Sequence, residues 1–264
     1  MTDIVATSAR PAAASETAAH SRFRSYRLEA KYEFLRLLRT PMFSVPVLAF
    51  PAIFYLLFGV VINGGNGDAA QYLLATYGVF GVMGAALFGF GVTVAMEREQ
   101  GLLKLKRVQP MPPGAYLLAK MAMAMLFSAL VALLVAVLAD SLAGVALRPS
   151  QWLLLAVVDV VGALPFCALG LYIGTVANGS GAPVVINLLY LPMAFLSGLW
   201  LPLQMLPDVF ARLAPAWPSY HLAQLALKVV GMDAGGHVAM HVGVLAVVAV
   251  AFFVLARGRL ARAG

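Results

Sequence analysis

The sequence contains little charge and almost no cysteine. Only 11% of its 264 residues are charged, whereas 62% are hydrophobic, and the mean hydropathy is +0.90. A water-soluble protein needs a polar exterior, so this composition excludes a soluble globular protein. The single cysteine, Cys167, excludes a disulfide framework and a cluster of thiolate metal ligands.

Motifs for catalysis and nucleotide binding are also missing. Neither G-x-x-x-x-G-K-[ST] nor H-E-x-x-H occurs, so we expect no ATPase site and no zinc-protease site on this chain. His237 and His241 stand four residues apart, but two imidazoles alone make a weak metal site. The sequence therefore predicts a protein that is not an enzyme and that holds no metal or cofactor itself.

Long apolar runs dominate what remains. A helix that spans a bilayer needs about 20 mostly apolar residues. Six runs meet this length approximately: Phe43–Ile62, Tyr72–Met96, Leu117–Ala139, Trp152–Val176, Pro183–Leu201 and Val238–Ala256. We predict an all-α membrane protein in which residues 21–264 form one domain with six transmembrane helices. Residues 1–20 lack an apolar core, so we expect a disordered tail rather than a cleavable signal peptide.

The basic residues predict how the chain lies in the membrane. Fifteen of the 18 Lys and Arg residues fall in the N-terminal arm, in the loop after the second run or at the C-terminus. The exceptions are Arg148, Arg212 and Lys228. Because cytoplasmic segments carry an excess of Lys and Arg, we predict that both termini are cytoplasmic in a multi-pass inner (plasma) membrane protein.

Two segments outside the runs have helical periodicity. Residues 22–39 carry apolar side chains at three- and four-residue steps between basic ones, which predicts an amphipathic helix at the membrane interface. The stretch Leu201–Gly236 is too long and too rich in proline for a simple turn. We expect it to form short external helices, broken at residues 214–218.

The loop between the second and third runs has the most distinctive pattern. Glu97 and Glu99 favour the N-terminus of a helix, and the basic Lys104, Lys106 and Arg107 favour its C-terminal end. This predicts a short cytosolic helix that is tied closely to two spans. Such a helix could transmit force from a docked partner, although a plain positively charged loop would show the same pattern.

Few polar side chains lie inside the runs. Asp159 is the one carboxylate well within a span, and an ionised aspartate at the bilayer centre costs about 2.5–3.5 kcal/mol. It either lines a transport route or lies near the external interface, where it is hydrated or protonated. Asn187 and Tyr190 could line the same route, or they could hydrogen-bond between helices.

The order of several short motifs resembles the ABC-2 family of membrane subunits of ATP-binding-cassette transporters. The similarity covers nearly all of the chain after about residue 20. The residues that carry it are Leu38–Pro41, Phe50-Pro51 and Leu57–Gly59; Glu97–Gly101 with Pro110 and Tyr116–Lys120; Ser197–Pro202 with Leu206-Pro207; and Ala214-Pro215 with Pro218–Tyr220.

This resemblance implies a homodimeric permease that exports a hydrophobic or amphipathic compound, such as a drug (multidrug export), a lipid or a glycolipid. Separate nucleotide-binding subunits would bind ATP and Mg and hydrolyse the ATP. The family's coupling role would fall on Glu97, Glu99, Gly101 and the stretch Leu103, Lys104, Leu105, Lys106 and Arg107. The resemblance also implies a substrate path at the seam of the dimer, involving the second and fifth spans, with Asn187 and Tyr190 as candidates.

The chain departs from the family pattern after Gly101. The family usually has Thr and then Glu, whereas here Leu102 follows the glycine and Lys104 comes two residues later. We therefore expect an acidic docking groove on the partner.

Two alternatives remain: a permease for polysaccharide or lipo-oligosaccharide export, and an ion-coupled secondary transporter. The second would usually show repeated halves and several ionisable groups within the membrane.

Overall fold

The computed structural model describes residues 26–64, 66–102, 115–232 and 236–262, and these residues contain helices but no β-strand. Five helices are long and apolar enough to cross a bilayer. The predicted all-α membrane fold is therefore confirmed.

The helices are numbered in chain order. They are α1 (26–38), α2 (Pro41–Phe54, continued by the π-helical segment Tyr55–Ile62), α3 (Gly67–Glu99, with a π-helical segment at Leu87–Val92), α4 (Ala115–Ser141), α5 (Pro149–Val176), α6 (Ala182–Leu196), α7 (Asp208–Leu213), α8 (Pro218–Val230) and α9 (Val238–Arg262). The side of the bundle that holds α1, the end of α3 and the start of α4 is called the basic side below.

Helix α3 is the central helix of the bundle. Its first turn begins at Asn66, whose side chain accepts hydrogen bonds from the backbone N–H groups of Asp68 and Ala69 at 3.1 and 3.3 Å. Most of its length is buried within this one chain, whereas most of α9 is exposed. Because α4, α5 and α8 all pack against it, α3 positions the elements around it.

Helices α3 and α5 cross with their backbones almost in contact. A Cβ atom added at Gly174 would lie 2.7 Å from the carbonyl oxygen of Gly91. A Cβ atom added at Gly170 would lie 3.0 Å from the carbonyl oxygen of Leu87. Small residues allow helices to approach this closely, and the contact gains dispersion energy and excludes lipid.

The predicted fifth span is shorter than expected. The run Pro183–Leu201 contains helix α6, which ends at Leu196 and has 15 residues. At 1.5 Å per residue it covers only about 22 Å, less than the roughly 30 Å of hydrocarbon. The helix ends because Gly198 adopts a φ of 76°, and the N–H of Leu199 donates to the carbonyl of Ala194 at 3.1 Å, as in a Schellman motif.

The expectation of short helices between α6 and α9 is confirmed. Helix α7, a 3₁₀ turn at Ala214–Ala216 and helix α8 follow one another, so the predicted break is also present. Helix α8 enters the bundle rather than lying on its surface: Leu222 packs into the space left by Gly162. The Gln151 amide donates to the carbonyl of Val229 at 2.8 Å, which satisfies an acceptor at the end of α8.

The predicted amphipathic helix is present as α1 over residues 26–38. Part of its apolar face packs against protein. The Phe34 ring lies 5.1 Å from that of Phe127 in α4, and Phe43 of α2 contacts the same ring at 5.2 Å. Leu37 is buried in the same cluster. Helix α1 is therefore fixed to α2 and α4 by aromatic contacts.

The glycine crossing leads to a prediction about stability. We expect Gly174→Ala to destabilise the protein by roughly 1–3 kcal/mol, because the new methyl group must displace the backbone of α3. Gly243→Ala in α9 is the matched control, since a Cβ atom there meets nothing within 4 Å. Thermal unfolding of both variants in one detergent checks this. Equal midpoints would contradict the close crossing.

Candidate functional site

Three consecutive side chains at the end of α3 reach three different parts of the bundle. They are Glu97, Arg98 and Glu99, called the triplet below. The two glutamates were predicted to begin a separate helix, but they lie in the last turns of α3. A helix C-terminus is unfavourable for carboxylates, so their partners must compensate.

Glu97 is buried, at 3% exposure, and has cationic partners from two helices. Its Oε1 atom lies 2.6 Å from Nη2 of Arg36 in α1 and 3.2 Å from Nζ of Lys120 in α4. The hydroxyl group of Tyr116 donates to its Oε2 atom at 2.6 Å. Charge-assisted hydrogen bonds of this kind are stronger than neutral ones. Glu97 thus links α3 to both α1 and α4.

Lys120 is completely buried and completes the cluster. Its ammonium group pairs with Glu33 of α1 as well as with Glu97. It also donates to Oγ1 of Thr93 at 3.0 Å. The ion cluster is defined here as Glu33, Arg36, Glu97 and Lys120. Its two acids and two bases balance, which a buried set of charges requires.

Arg36 is the half-exposed member of the ion cluster. Burial lowers the pKa of its guanidinium group, but the hydrogen bond to Glu97 and the charges of Glu33 and Glu97 raise it by more, so the net pKa is above its ordinary value. The arginine therefore stays cationic at every physiological pH.

Arg98 and Glu99 bind the segment that joins α5 to α6. The guanidinium group of Arg98 donates to the carbonyl groups of Thr175 and Ala177, the latter at 2.6 Å. These carbonyls lie at the C-terminus of α5, where a cation is favourable. The Oε2 atom of Glu99 accepts from the N–H of Gly179 at 2.6 Å. A Cβ atom at Gly179 would lie 2.3 Å from that oxygen, so a larger residue there would have to displace the carboxylate.

The remaining predicted coupling residues follow the triplet. Gly101 has a φ of 72°, which glycine adopts without strain, and its N–H donates to the carbonyl of Arg98 at 3.1 Å. The stretch Leu103–Arg107 lies outside the described residues. The coupling role of all these residues stays a prediction, and the structure adds that Glu97 faces the interior of the bundle.

The three predicted substrate-path residues are not brought together. Asn187 is exposed and donates to the carbonyl of Pro183 in its own helix at 3.1 Å. Tyr190 is buried and donates to the carbonyl of Phe80 in α3 at 3.1 Å. Asp159 lines a cavity between α3, α4 and α5 whose wall includes neither of the others. A path shared by all three is not formed within one chain.

The second span also differs from the expected seam. Helix α3 is mostly buried inside the single chain, so it offers little surface to a second copy. Helix α6 has an exposed apolar face that includes Val184, Leu188 and Leu191.

Sequence reasoning did not find the partners of the triplet. Glu33 and Arg36 stand three residues apart on α1, on the side that carries Leu37. This spacing of opposite charges on the apolar side of the helix could have indicated a buried ion pair. Lysine side chains near the end of a membrane span commonly reach out to the interface. Lys120 remains inside because Glu33 and Glu97 are close enough to neutralise it.

Comparison with known proteins gives the family of the chain. The family model described as “ABC-2 type transporter” matches residues 24–230, which include α1 through α8. The chain belongs to the ABC-2 transporter family. It is therefore a membrane subunit of an ATP-binding-cassette transporter, and the family implies an ATP-binding partner.

Two relatives support the assignment of this permease. It is 32% identical over 202 residues to the Bacillus subtilis (strain 168) protein named “Putative transport permease YvfS”, which covers 75% of this chain and 82% of that protein. It is 34% identical over 120 residues to “Nodulation protein J” of Sinorhizobium fredii (strain NBRC 101917 / NGR234), which covers 45% of each chain.

Removing the lysine of the ion cluster tests the arrangement. We expect Lys120→Met to destabilise the permease by about 3–5 kcal/mol, because two buried carboxylates would share the half-exposed Arg36 alone. Lys31→Met removes an exposed lysine from α1 and should have little effect. Thermal unfolding in detergent measures both.

A second substitution separates charge from size. Adding Glu33→Gln to Lys120→Met should recover part of the lost stability, since one uncompensated carboxylate is removed. Additive losses in the double variant would contradict direct pairing of Glu33 with Lys120.

Proposed function

We propose that this permease exports a hydrophobic or amphipathic compound, such as a drug, a lipid or a glycolipid, with energy from ATP hydrolysed on a separate subunit. The observation that carries the proposal is the triplet at the end of α3. Three consecutive side chains join α3 to α1, to α4 and to the α5–α6 segment. A displacement of the end of α3 would therefore also move α1, α4 and the α5–α6 segment.

The proposed force enters through residues 103–114, which connect α3 to α4 directly after the triplet. A nucleotide-binding subunit docks there and moves the loop when ATP binds. Because the ion cluster is neutral and its acids are buried, it contributes no net charge to docking. The docking charge comes from Lys104, Lys106 and Arg107, so the groove on the ATPase is acidic.

The proposed assembly is a permease homodimer with two nucleotide-binding subunits that hold ATP and Mg. The permease itself hydrolyses no ATP and carries no cofactor. Both termini and the basic side face the cytoplasm of the inner membrane, which agrees with the excess of Lys and Arg in those segments. The exposed apolar face of α6 is the proposed dimer contact, with Asn187 at the seam.

A glycan permease is the alternative. Sugar rings stack on aromatic side chains, and Phe54, Phe58, Tyr77, Phe80 and Trp200 form one aromatic cluster with ring centroids 5.8–6.5 Å apart. However, these rings contact one another, and those of α3 are buried inside one chain. The cluster therefore favours packing within the bundle over a sugar-binding surface, and we retain the amphipathic compound as the proposed cargo.

Reversing the charge of the loop tests the docking. Tagged permease is purified from membranes of its host, and the associated protein with a P-loop is identified by mass spectrometry. We expect Lys104, Lys106 and Arg107 changed together to Glu to reduce recovery of that ATPase at least about tenfold, because like charges would then face one another.

The matched control reverses three other basic residues that are predicted to face the cytoplasm. Arg257, Arg259 and Arg262, at the end of α9, are exposed, and their change to Glu should leave recovery of the ATPase unchanged. Equal recovery with both triple variants would contradict the docking site. Uphill transport by the permease alone in liposomes would contradict the proposed function as a whole.

A further inference from the structure

A cavity of about 400 Å³ lies between α3, α4 and α5. It forms where small residues of the three helices meet, because their side chains do not fill the space; these are Gly78, Ala129, Ala132, Ala136 and Ala156. The wall also includes Asp140, at the end of α4, and Trp152, in the first turn of α5. The cavity therefore lies in the half of the bundle away from the basic side.

Asp159 is the buried charged group of this cavity. It is 2% exposed, and its Oδ1 atom has no hydrogen-bond partner among the described residues. A Cβ atom at Gly78 would lie 3.0 Å from its Oδ2 atom, so the carboxyl group is pressed against the backbone of α3. It lies ten residues into α5, about 15 Å from the start of that helix. In its ionised form, a carboxylate in this position would need a partner that the described residues do not supply.

The composition of the wall restricts what that partner can be. Metal cations such as Ca²⁺ take six to eight oxygen ligands, but the side-chain oxygens of this wall belong to Asp159 and Asp140 alone. The rest of the lining is almost entirely hydrocarbon. An organic cation fits better, because one positive group can meet Asp159 while its apolar body covers the alanine and leucine side chains.

The mouth of the cavity indicates how a ligand arrives. Leu133 and Val137 of the wall are 61% and 53% exposed, so the cavity opens onto the lipid-facing surface of α4. Trp152 stands two turns before Asp159 on the same face of α5, where its ring can also contact a cation.

We propose that the cavity between α3, α4 and α5 binds a lipophilic organic monocation from the membrane, with Asp159 as its counter-ion. This site lies within one chain and does not require the dimer or the ATPase. Only the further statement that the bound cation is the cargo rests on the proposed function.

Binding of radiolabelled tetraphenylphosphonium to purified permease tests the site. The protein is placed in phosphatidylcholine nanodiscs, without the ATPase and without nucleotide. We expect saturable binding above that of empty nanodiscs, and an affinity at least about tenfold lower in Asp159→Asn. Neutral triphenylphosphine oxide should displace the cation poorly, because it offers the apolar body without the charge.

Two further variants guard against indirect effects. Asp208→Asn removes an exposed carboxylate from α7 and should bind as the wild type does. Ala132→Leu keeps Asp159 but fills the cavity, and it should also weaken binding. Thermal unfolding of each variant shows whether it is folded. If Asp159→Asn does not fold, the affinity of Ala132→Leu for the cation tests the site, and wild-type affinity in that variant would contradict it.

The following outcomes would overturn the site: no saturable binding to the wild type, wild-type affinity in the folded Asp159→Asn variant, or equal displacement by the neutral compound. Recovery of the ATPase is measured on wild-type permease purified separately from membranes of its host. A wild-type permease that recovers the ATPase but shows no saturable cation binding rejects the site alone, whereas a wild-type permease that binds the cation but recovers no ATPase rejects the proposed function alone.

Discussion

The mutual neutralisation of four charges on the basic side is the constraint on which this architecture depends. Glu97 and Lys120 belong to membrane-spanning helices and are buried, and each ion taken from water without a partner costs several kcal/mol. Glu97 and Lys120 pair with each other, and helix α1 adds Arg36 and Glu33 as a further partner for each of them. The docking of α1 therefore stabilises the buried pair. The N-terminal helix is an integral part of the bundle.

The same region shows how charge and backbone act together. Arg98 donates hydrogen bonds to carbonyl groups at the end of α5, and Glu99 accepts one from the N–H of Gly179 just beyond it. The two side chains are adjacent in sequence but satisfy groups of opposite polarity. The α5–α6 segment is thereby held from one short stretch of α3, next to the loop that is proposed to dock the ATPase.

Much of the fold follows from hydropathy, because a bilayer demands a minimum length of apolar helix. Five of the six predicted spans are such helices. The span predicted over Pro183–Leu201 is longer than the helix found there, because hydropathy does not report where the backbone leaves the helical conformation. Leu199 and Trp200 are apolar, yet Gly198 turns the chain before them. The short helices between α6 and α9 were predicted correctly, since proline and helical periodicity mark them directly.

The site was less predictable because its pairs are distant in sequence. Arg36 and Glu97 are 61 residues apart, and Glu33 and Lys120 are 87 apart. Counting charges near the ends of spans cannot reveal such partners. Tyr190 was proposed as a substrate contact, while the structure uses its hydroxyl group to join α6 to α3.

The crossing of α3 and α5 at Gly91, Gly170 and Gly174 has a mechanical consequence. Backbone meets backbone there, so no flexible side chain is available to absorb relative sliding. Helices α3 and α5 must therefore move as one rigid unit, with the triplet at the end of α3. Helix α9 packs along α5 and exposes most of its remaining surface, so we expect it to follow the movement of this pair.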